Sequence, residues 1–233
     1  MAIFCRVNLI EEKYTRIKSE LSPLKVKLVA VSKLQSIESI QALYNLGHRD
    51  FGENYVQECC EKHEKLPKDI HWHFIGHLQS NKVKYISPFI HLIHGVDSLK
   101  LLKEINKQAA RCERIQSVLL QIHIASEETK FGFSVNEIDS FFMSADLRQM
   151  KNIQIEGLMG MATFSENTEI IRKEFNGLNQ LFERIKKQFP ELTNNFRYLS
   201  MGMTSDFKIA IEEGSNLVRI GSALFGERKK TST

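Results

Sequence analysis

The feature that most constrains this chain is a repeated change of period. Short β-branched runs alternate with segments of helical periodicity, and only a few Gly, Pro, Ser or Asn residues separate them. Eight such runs can be counted: Val26–Val31, Arg49–Phe51, Trp72–Ile75, Ile90–His94, Val118–Ile124, Ile153–Met159, Phe196–Leu199 and Leu217–Ile220. Strands that alternate with helices build βαβ units rather than hairpins.

The intervening segments carry their own start and stop signals. Ser36–Leu46 is closed by Gly47, and Asn167–Gln188 ends just before Pro190. The latter places Ile170, Ile171, Phe175, Leu178, Leu181, Phe182 and Ile185 on one stripe, which reads as core. Pro23, Pro67, Pro88 and Pro190 each fall shortly before a strand run, where a chain leaving a helix must turn. An amphipathic helix from about Val7 to Ser19 would precede the first strand.

Eight βα units in 233 residues predict a single (β/α)8 TIM-type barrel over about residues 25–228, followed by a frayed tail at 229–233. No linker or composition shift offers a domain boundary. The weak second run leaves a doubly wound open sheet as the alternative, since that fold needs only five or six strands.

Composition narrows the function. With 42% hydrophobic residues the chain can bury a core, and its net charge of +4 comes from charges scattered along the whole length. That argues against a nucleic-acid surface. Arg6 interrupts the apolar N-terminus and no membrane-length apolar run exists, so the chain is expected to be cytoplasmic. Cys5, Cys59, Cys60 and Cys112 show no C-x-x-C spacing and are expected to be reduced and structural.

Barrels carry their chemistry at the C-terminal ends of the strands. After the first run comes Lys33, expected on the side of Val29 and Val31 and partly desolvated, which favours the neutral, nucleophilic amine. A lysine can also simply end a strand in water. The seventh and eighth runs lead into Ser200-Met201-Gly202-Met203-Thr204 and Gly221-Ser222. Glycines at adjacent strand ends let the backbone approach an anion, and the hydroxyls add donors, which together suit a phosphate. Arg219 interrupts an apolar run, where an arginine needs an acceptor. Either a carboxylate such as Glu227 or a ring nitrogen would serve.

These residues carry a resemblance. Phe51-Gly-Glu-Asn54, His73-Phe-Ile-Gly76, Leu78-Gln-Ser-Asn-Lys82, Leu199-Ser-Met-Gly-Met203 and Val218-Arg-Ile-Gly-Ser222-Ala-Leu-Phe-Gly226 resemble the motifs of the pyridoxal-phosphate homeostasis protein family, single-domain relatives of the alanine racemase N-terminal barrel. The match runs from about Lys25 to Arg228. The resemblance implies that Lys33 forms a Schiff base with pyridoxal 5′-phosphate (PLP) and that Asn54 lies beside the cofactor. Ser200, Met201, Gly202, Met203 and Thr204, with Gly221 and Ser222, would hold the phosphate, and Arg219 would face the ring nitrogen. Ile75 and Met159 would wall the pocket. The family more often has Ser at the position of Thr204 and Thr at that of Ser222; both substitutions keep a hydroxyl.

The resemblance further implies a cytoplasmic PLP carrier in vitamin B6 homeostasis, without strong turnover, whose cofactor could pass to PLP-dependent apoenzymes; the chain is expected to be a monomer. An arginine at the ring nitrogen donates to a neutral ring and leaves a poorer electron sink than a pyridinium. Racemisation also needs a second acid/base, which in alanine racemase is a tyrosine of another domain, and only seven residues follow Gly226. A slow amino-acid racemase and a Schiff-base lyase acting on a phosphorylated sugar are the competing readings.

Other signals are weaker. His71 and His73 share one side of a strand, but a metal site needs ligands at other strand ends. His123 lies within its run, and the eighth run offers arginine instead of Asp, so no metal is expected. Glu127-Glu128 before Thr129-Lys130-Phe131-Gly132 reads as a solvated loop, and Glu227-Arg-Lys-Lys230 as a frayed end.

Overall fold

The computed structural model describes residues 2–127 and 131–226, with side chains from Asn8 onward. All eight strands form and pair in sequence order into a closed barrel. They are β1 (Lys27–Val31), β2 (Asp50–Glu53), β3 (His71–Phe74), β4 (Leu92–Val96), β5 (Gln116–Gln121), β6 (Ile153–Met159), β7 (Tyr198–Ser200) and β8 (Leu217–Ile220). Every pairing is parallel, and β8 returns to β1 through Lys27–Ala30. That closure excludes the open sheet.

Helices surround the barrel: α1 (Ala2–Leu21), α2 (Ile37–Asn45), α3 (Val56–Lys65), α4 (Val83–Ile86), α5 (Leu99–Arg111), α6 (Glu137–Met143), α7 (Ala145–Gln149), α8 (Thr168–Gln188), α9 (Phe207–Glu212) and α10 (Ser222–Phe225). The predicted signals work as capping chemistry requires. The Ser36 side chain accepts from the Ser39 amide to start α2, and Gly47 leaves it at φ +84°. Asn167 caps α8 by accepting from the Glu169 amide. Among the described residues, no helix is long and apolar enough to cross a membrane.

Strand alternation sorts the side chains into two layers. Leu28, Phe51, Trp72, Ile93, Val118, Leu158 and Val218 face the helices. Val29, Leu92, Leu119, Met159 and Leu217 form a smaller apolar cluster inside the barrel. The rest of the interior is polar.

Several boundaries differ from expectation. The N-terminal helix extends beyond Val7–Ser19 to Ala2–Leu21. The second strand includes Gly52 and Glu53, which pair with His73 and Phe74 of β3; a Cβ at Gly52 would lie 2.9 Å from Val29 Cγ1 and 3.0 Å from Ile75 Cδ1, so neighbouring side chains fill that space. The fourth strand starts at Leu92 because the Ile90 amide is still donating to Ile86 O in the α4 turn. The fifth ends at Gln121, so His123 lies beyond its strand, with Nε2 2.9 Å from Glu127 O. Phe196 precedes β7, in a turn that bonds to Thr193 O. Ile170 stands off the buried stripe of α8, 41% exposed. Cys59, Cys60 and Cys112 are free thiols. The Cys5 side chain, Glu128–Lys130 and the tail from Glu227 onward lie outside the described residues.

Candidate functional site

The parallel strands gather their C-terminal ends at one rim. There β1 runs into a turn closed by Gln35 N donating to Ser32 O at 3.0 Å, with Leu34 at φ +60° and half-buried Lys33 near its apex. Strand alternation therefore stops at Val31. What fixes Lys33 instead is a buried charge cluster beneath the turn. Ser32 Oγ donates to Glu53 Oε1 at 2.5 Å. Lys62 Nζ, from α3, donates to Ser32 O at 2.7 Å, Glu53 Oε1 at 2.8 Å and Glu58 Oε1 at 2.7 Å. Glu58 Oε1 in turn accepts from the Leu34 amide at 2.6 Å. Burial pushes the Glu53 carboxyl up to about 7, against the pull of Lys62 and Ser32. None of these supports was anticipated from sequence; Glu58 and Lys62 show the i,i+4 spacing of an ordinary surface pair.

Beside them, Asn54 and Ile75 follow β2 and β3. A Cβ at Gly76 would lie 2.5 Å from Asn54 O, so only glycine lets these backbones meet. Asn54 Oδ1 is buried and has no partner among the described residues. An orphaned acceptor of this kind is rare in folded proteins and fits a ligand donor.

Across the mouth, β6, β7 and β8 bring Met159, Ser200 and Arg219 together. Arg219 Nη1 donates to Ser200 O at 2.9 Å and Ser200 Oγ at 2.6 Å, and Nη2 donates to Gly160 O at 3.1 Å. Burial lowers its pKa to about 10, so it remains a cation at neutral pH. Among the described residues it makes no ion pair; its contacts are uncharged oxygens. Glu227, the carboxylate considered from sequence, lies outside the described residues.

The two glycine turns also converge. Gly202 adopts φ +93°, where a Cβ would lie 2.6 Å from Ala210 Cβ. Its carbonyl accepts from the Arg219 amide at 3.0 Å. Thr204 Oγ1 lies 3.4 Å from Gly221 N, so the turns after β7 and β8 touch. A Cβ at Gly221 would lie 3.2 Å from Val31 Cβ, which seats the β8 turn against the end of β1. Ser222 is exposed at the start of α10. Met201 is buried in the outer, helix-facing layer, so its side chain does not line the mouth. The Met203 amide is occupied by Asp206 Oδ1 at 2.6 Å. Met159 is fully buried in the inner cluster, and Ile75 is half-buried over Gly52.

From Ser200 a polar column runs down the barrel. Ser200 Oγ lies 3.2 Å from His94 Nδ1, His94 Nε2 lies 2.9 Å from His73 Nδ1, and His73 Nε2 lies 3.0 Å from Asp50 Oδ1. Pairing one donor with one acceptor at each link, with neutral rings, assigns one sense: Arg219 donates to Ser200, Ser200 to His94, His94 to His73, and His73 to Asp50. Burial holds His94 well below the usual histidine range and lowers His73 as well, consistent with neutral imidazoles. Burial pushes the Asp50 carboxyl up, but His73 and Lys27 outweigh it and leave the group strongly acidic. Lys27 Nζ is 2.8 Å from Asp50 Oδ1.

A 620 Å³ cavity opens outside the rim, beside Asn54, between Tyr55, Phe74, His77 and Tyr85. A second, of 680 Å³, lies between Met161, Phe164 and Met203.

A closed parallel barrel with a lysine turn after its first strand and two touching glycine turns after its last two defines a class. The matching family model is "Alanine racemase, N-terminal domain", over residues 6–229. Alanine racemase from Bartonella henselae, solved with covalently bound pyridoxal phosphate, shares the fold with a TM-score of 0.70, at 17% identity over 96% of this chain and 61% of its own. Within that class the chain belongs to the pyridoxal phosphate homeostasis protein family. The Aquifex aeolicus protein of that name is 40% identical over 204 residues, 87% of each chain. PipY of Synechococcus elongatus PCC7942, solved with PLP bound, is 32% identical with a TM-score of 0.81, over 93% of this chain and 100% of its own.

Proposed function

We propose that this chain binds pyridoxal 5′-phosphate at the C-terminal rim and serves intracellular PLP homeostasis. The observation that carries the reading is Arg219: a buried cation held only by neutral oxygens, between two glycine turns that meet at the rim. A phosphorylated ring with a basic nitrogen fits such a mouth, and the orphaned Asn54 Oδ1 offers it an acceptor. When bound, PLP supplies an aldehyde that combines with amines and a ring that accepts electrons.

Lys33 provides the amine for a covalent, borohydride-reducible link, held in place by the Lys62–Glu53–Glu58 cluster under its turn. Backbone groups of the Ser200–Thr204 turn other than the Met203 amide, which Asp206 holds, would embrace the phosphate with those of Gly221 and Ser222 and the hydroxyls of Thr204 and Ser222. Met201 takes part through its backbone alone. Met159 and Ile75 would wall the pocket. Arg219 donates to the ring nitrogen without being able to accept a proton from it, which favours holding the cofactor over strong turnover. The chain works in the cytoplasm as a monomer, with PLP-dependent apoenzymes as recipients.

The test is direct. Incubation with PLP followed by borohydride and peptide mapping should fix the cofactor on Lys33. A Lys33→Ala protein that still retains a reducible adduct elsewhere at the rim would overturn the assignment.

A further inference from the structure

The opposite end of the barrel holds a cluster that cofactor binding does not use. Asp50 opens β2, His71 and His73 lie on β3, and His91 directly precedes β4, so three adjacent backbones present them. One ligand atom each from Asp50, His73 and His91 fall within 4.8 Å of one another. His73 Nε2 is 3.0 Å and His71 Nδ1 3.3 Å from Asp50 Oδ1. The His71 and His91 rings stack with centroids 4.5 Å apart. In the sequence the histidine pair has no local partner; the fold supplies Asp50 and His91 at the N-terminal strand ends.

We propose that this end binds one borderline transition-metal dication, such as Zn2+ or Co2+, through Asp50, His73 and His91, with His71 as fourth donor. Imidazoles with a single carboxylate suit such ions and not Mg2+ or Ca2+. Tetrahedral ligands at about 2.0–2.1 Å from zinc lie roughly 3.3 Å apart, so Asp50, His73 and His91, now within 4.8 Å, must draw together, and His71 must turn from its stack on His91 to join them. A 380 Å³ cleft bordered by Tyr14, Asp50 and His71 leads to it from solvent.

One feature distinguishes the site from a chance grouping, and one opposes it. First, His73 already has the outer partner expected of a metal-bound histidine: its Nδ1 faces His94 Nε2 at 2.9 Å, fixing the ring with Nε2 toward Asp50. Ligation through His73 Nε2 requires the Nδ1–H tautomer. His73 then donates to His94, and His94 donates to Ser200 Oγ, which still accepts from Arg219; each ring keeps one proton, the two histidine links reverse, and the Ser200 hydroxyl must turn its own proton to another acceptor. Second, the Lys27 ammonium sits 2.8 Å from Asp50 Oδ1 and must yield. Its side chain is 27% exposed and can swing outward, but its charge opposes the incoming dication.

The probe is Co2+, added to the full chain without a polyhistidine tag and followed by visible absorption, with Zn2+ competition by calorimetry. One ion per chain is expected. His91→Phe keeps the ring stack but removes a ligand, and should weaken binding by more than the about 10–100-fold typical of losing an outer partner, which is the effect expected of His94→Phe. Lys27→Met should tighten binding about tenfold, the Coulomb expectation for a unit charge beside a dication under water-like screening. No saturable 1:1 binding, equal affinity in native and His91→Phe proteins, or no gain in Lys27→Met would each overturn the site. Should His91→Phe fail to fold, His91→Gln takes its place, and the Lys27 arm stands independently. The readout needs no PLP, so its failure is separate from that of the rim assignment.

Discussion

At the rim, Arg219 is a buried cation held by neutral oxygens, whereas at the other end Asp50 is a half-buried anion held by Lys27 and His73. Burial pushes both groups toward neutrality. Asp50 has charged partners in direct contact to resist it, whereas Arg219 has only the more distant Asp206 carboxylate. The rim is therefore left with a positive charge that no carboxylate touches among the described residues, while the far end is balanced until something replaces Lys27. One barrel thus presents two unlike electrostatic sites, joined by a single file of hydrogen bonds.

The comparison can be broken at its supports. The largest effect is expected from Lys62→Met, which strands Glu53 beneath the Lys33 turn. Losing one partner of a buried pair costs about 3–5 kcal/mol, measurable by urea unfolding, and Glu53→Met in the same chain should recover much of it. A loss below about 1 kcal/mol would mean that the cluster does not hold the turn. Next comes Ser200→Ala, which removes one of the Arg219 contacts and cuts the column. A hydrogen bond to a charged group is worth about 1.5–3 kcal/mol, and the absorption of bound PLP should shift if Arg219 moves. An unchanged spectrum would separate Arg219 from the ring.

The smallest effects are differences in pH slope, of opposite sign at the two ends. Glu53 titrates near 7 when folded, above its ordinary value of 4.5, so its stabilising contribution is full below about pH 4.5 and fades as pH rises through 7. Native stability relative to Glu53→Gln should therefore fall across that window. His48, whose Nε2 is 2.8 Å from Asp50 O, is lowered by burial to about 4 from 6.5. Its contribution is full above about pH 6.5 and is lost as pH drops toward 4. Native stability relative to His48→Phe should fall in that direction, with the ring contacts to Tyr14 and Phe51 preserved. Parallel slopes in both variants would refute the contrast.

The barrel itself was legible because strand runs and helix stops are local signals. All eight runs became strands, and the boundary errors fell where turns such as those ending at Ile90 and Phe196 consume residues of suitable composition. At the rim, Lys33, the glycine turns and Arg219 could be read because strand ends are predictable positions. The roles of Met201 and Met203 could not, since which face of a loop a side chain takes depends on closure. The column was invisible for a stronger reason. Asp50, His73, His94, Ser200 and Arg219 come from five strands, and only the register of the closed sheet brings them into line. His71 and His73 showed their shared side through period two, but nothing local announced Asp50 or His91 as neighbours.

That file of polar side chains also bears on how the molecule reaches its shape. A sheet left ajar, or zipped one residue out of step, would maroon an arginine and two imidazoles among hydrocarbon neighbours, with no water to console them. A one-residue slip would also turn the apolar layers over, so both sets of side chains favour a single register. Shutting the ring in its correct order thereby becomes an all-or-nothing event, and the same residues that link the two ends serve as its proofreaders.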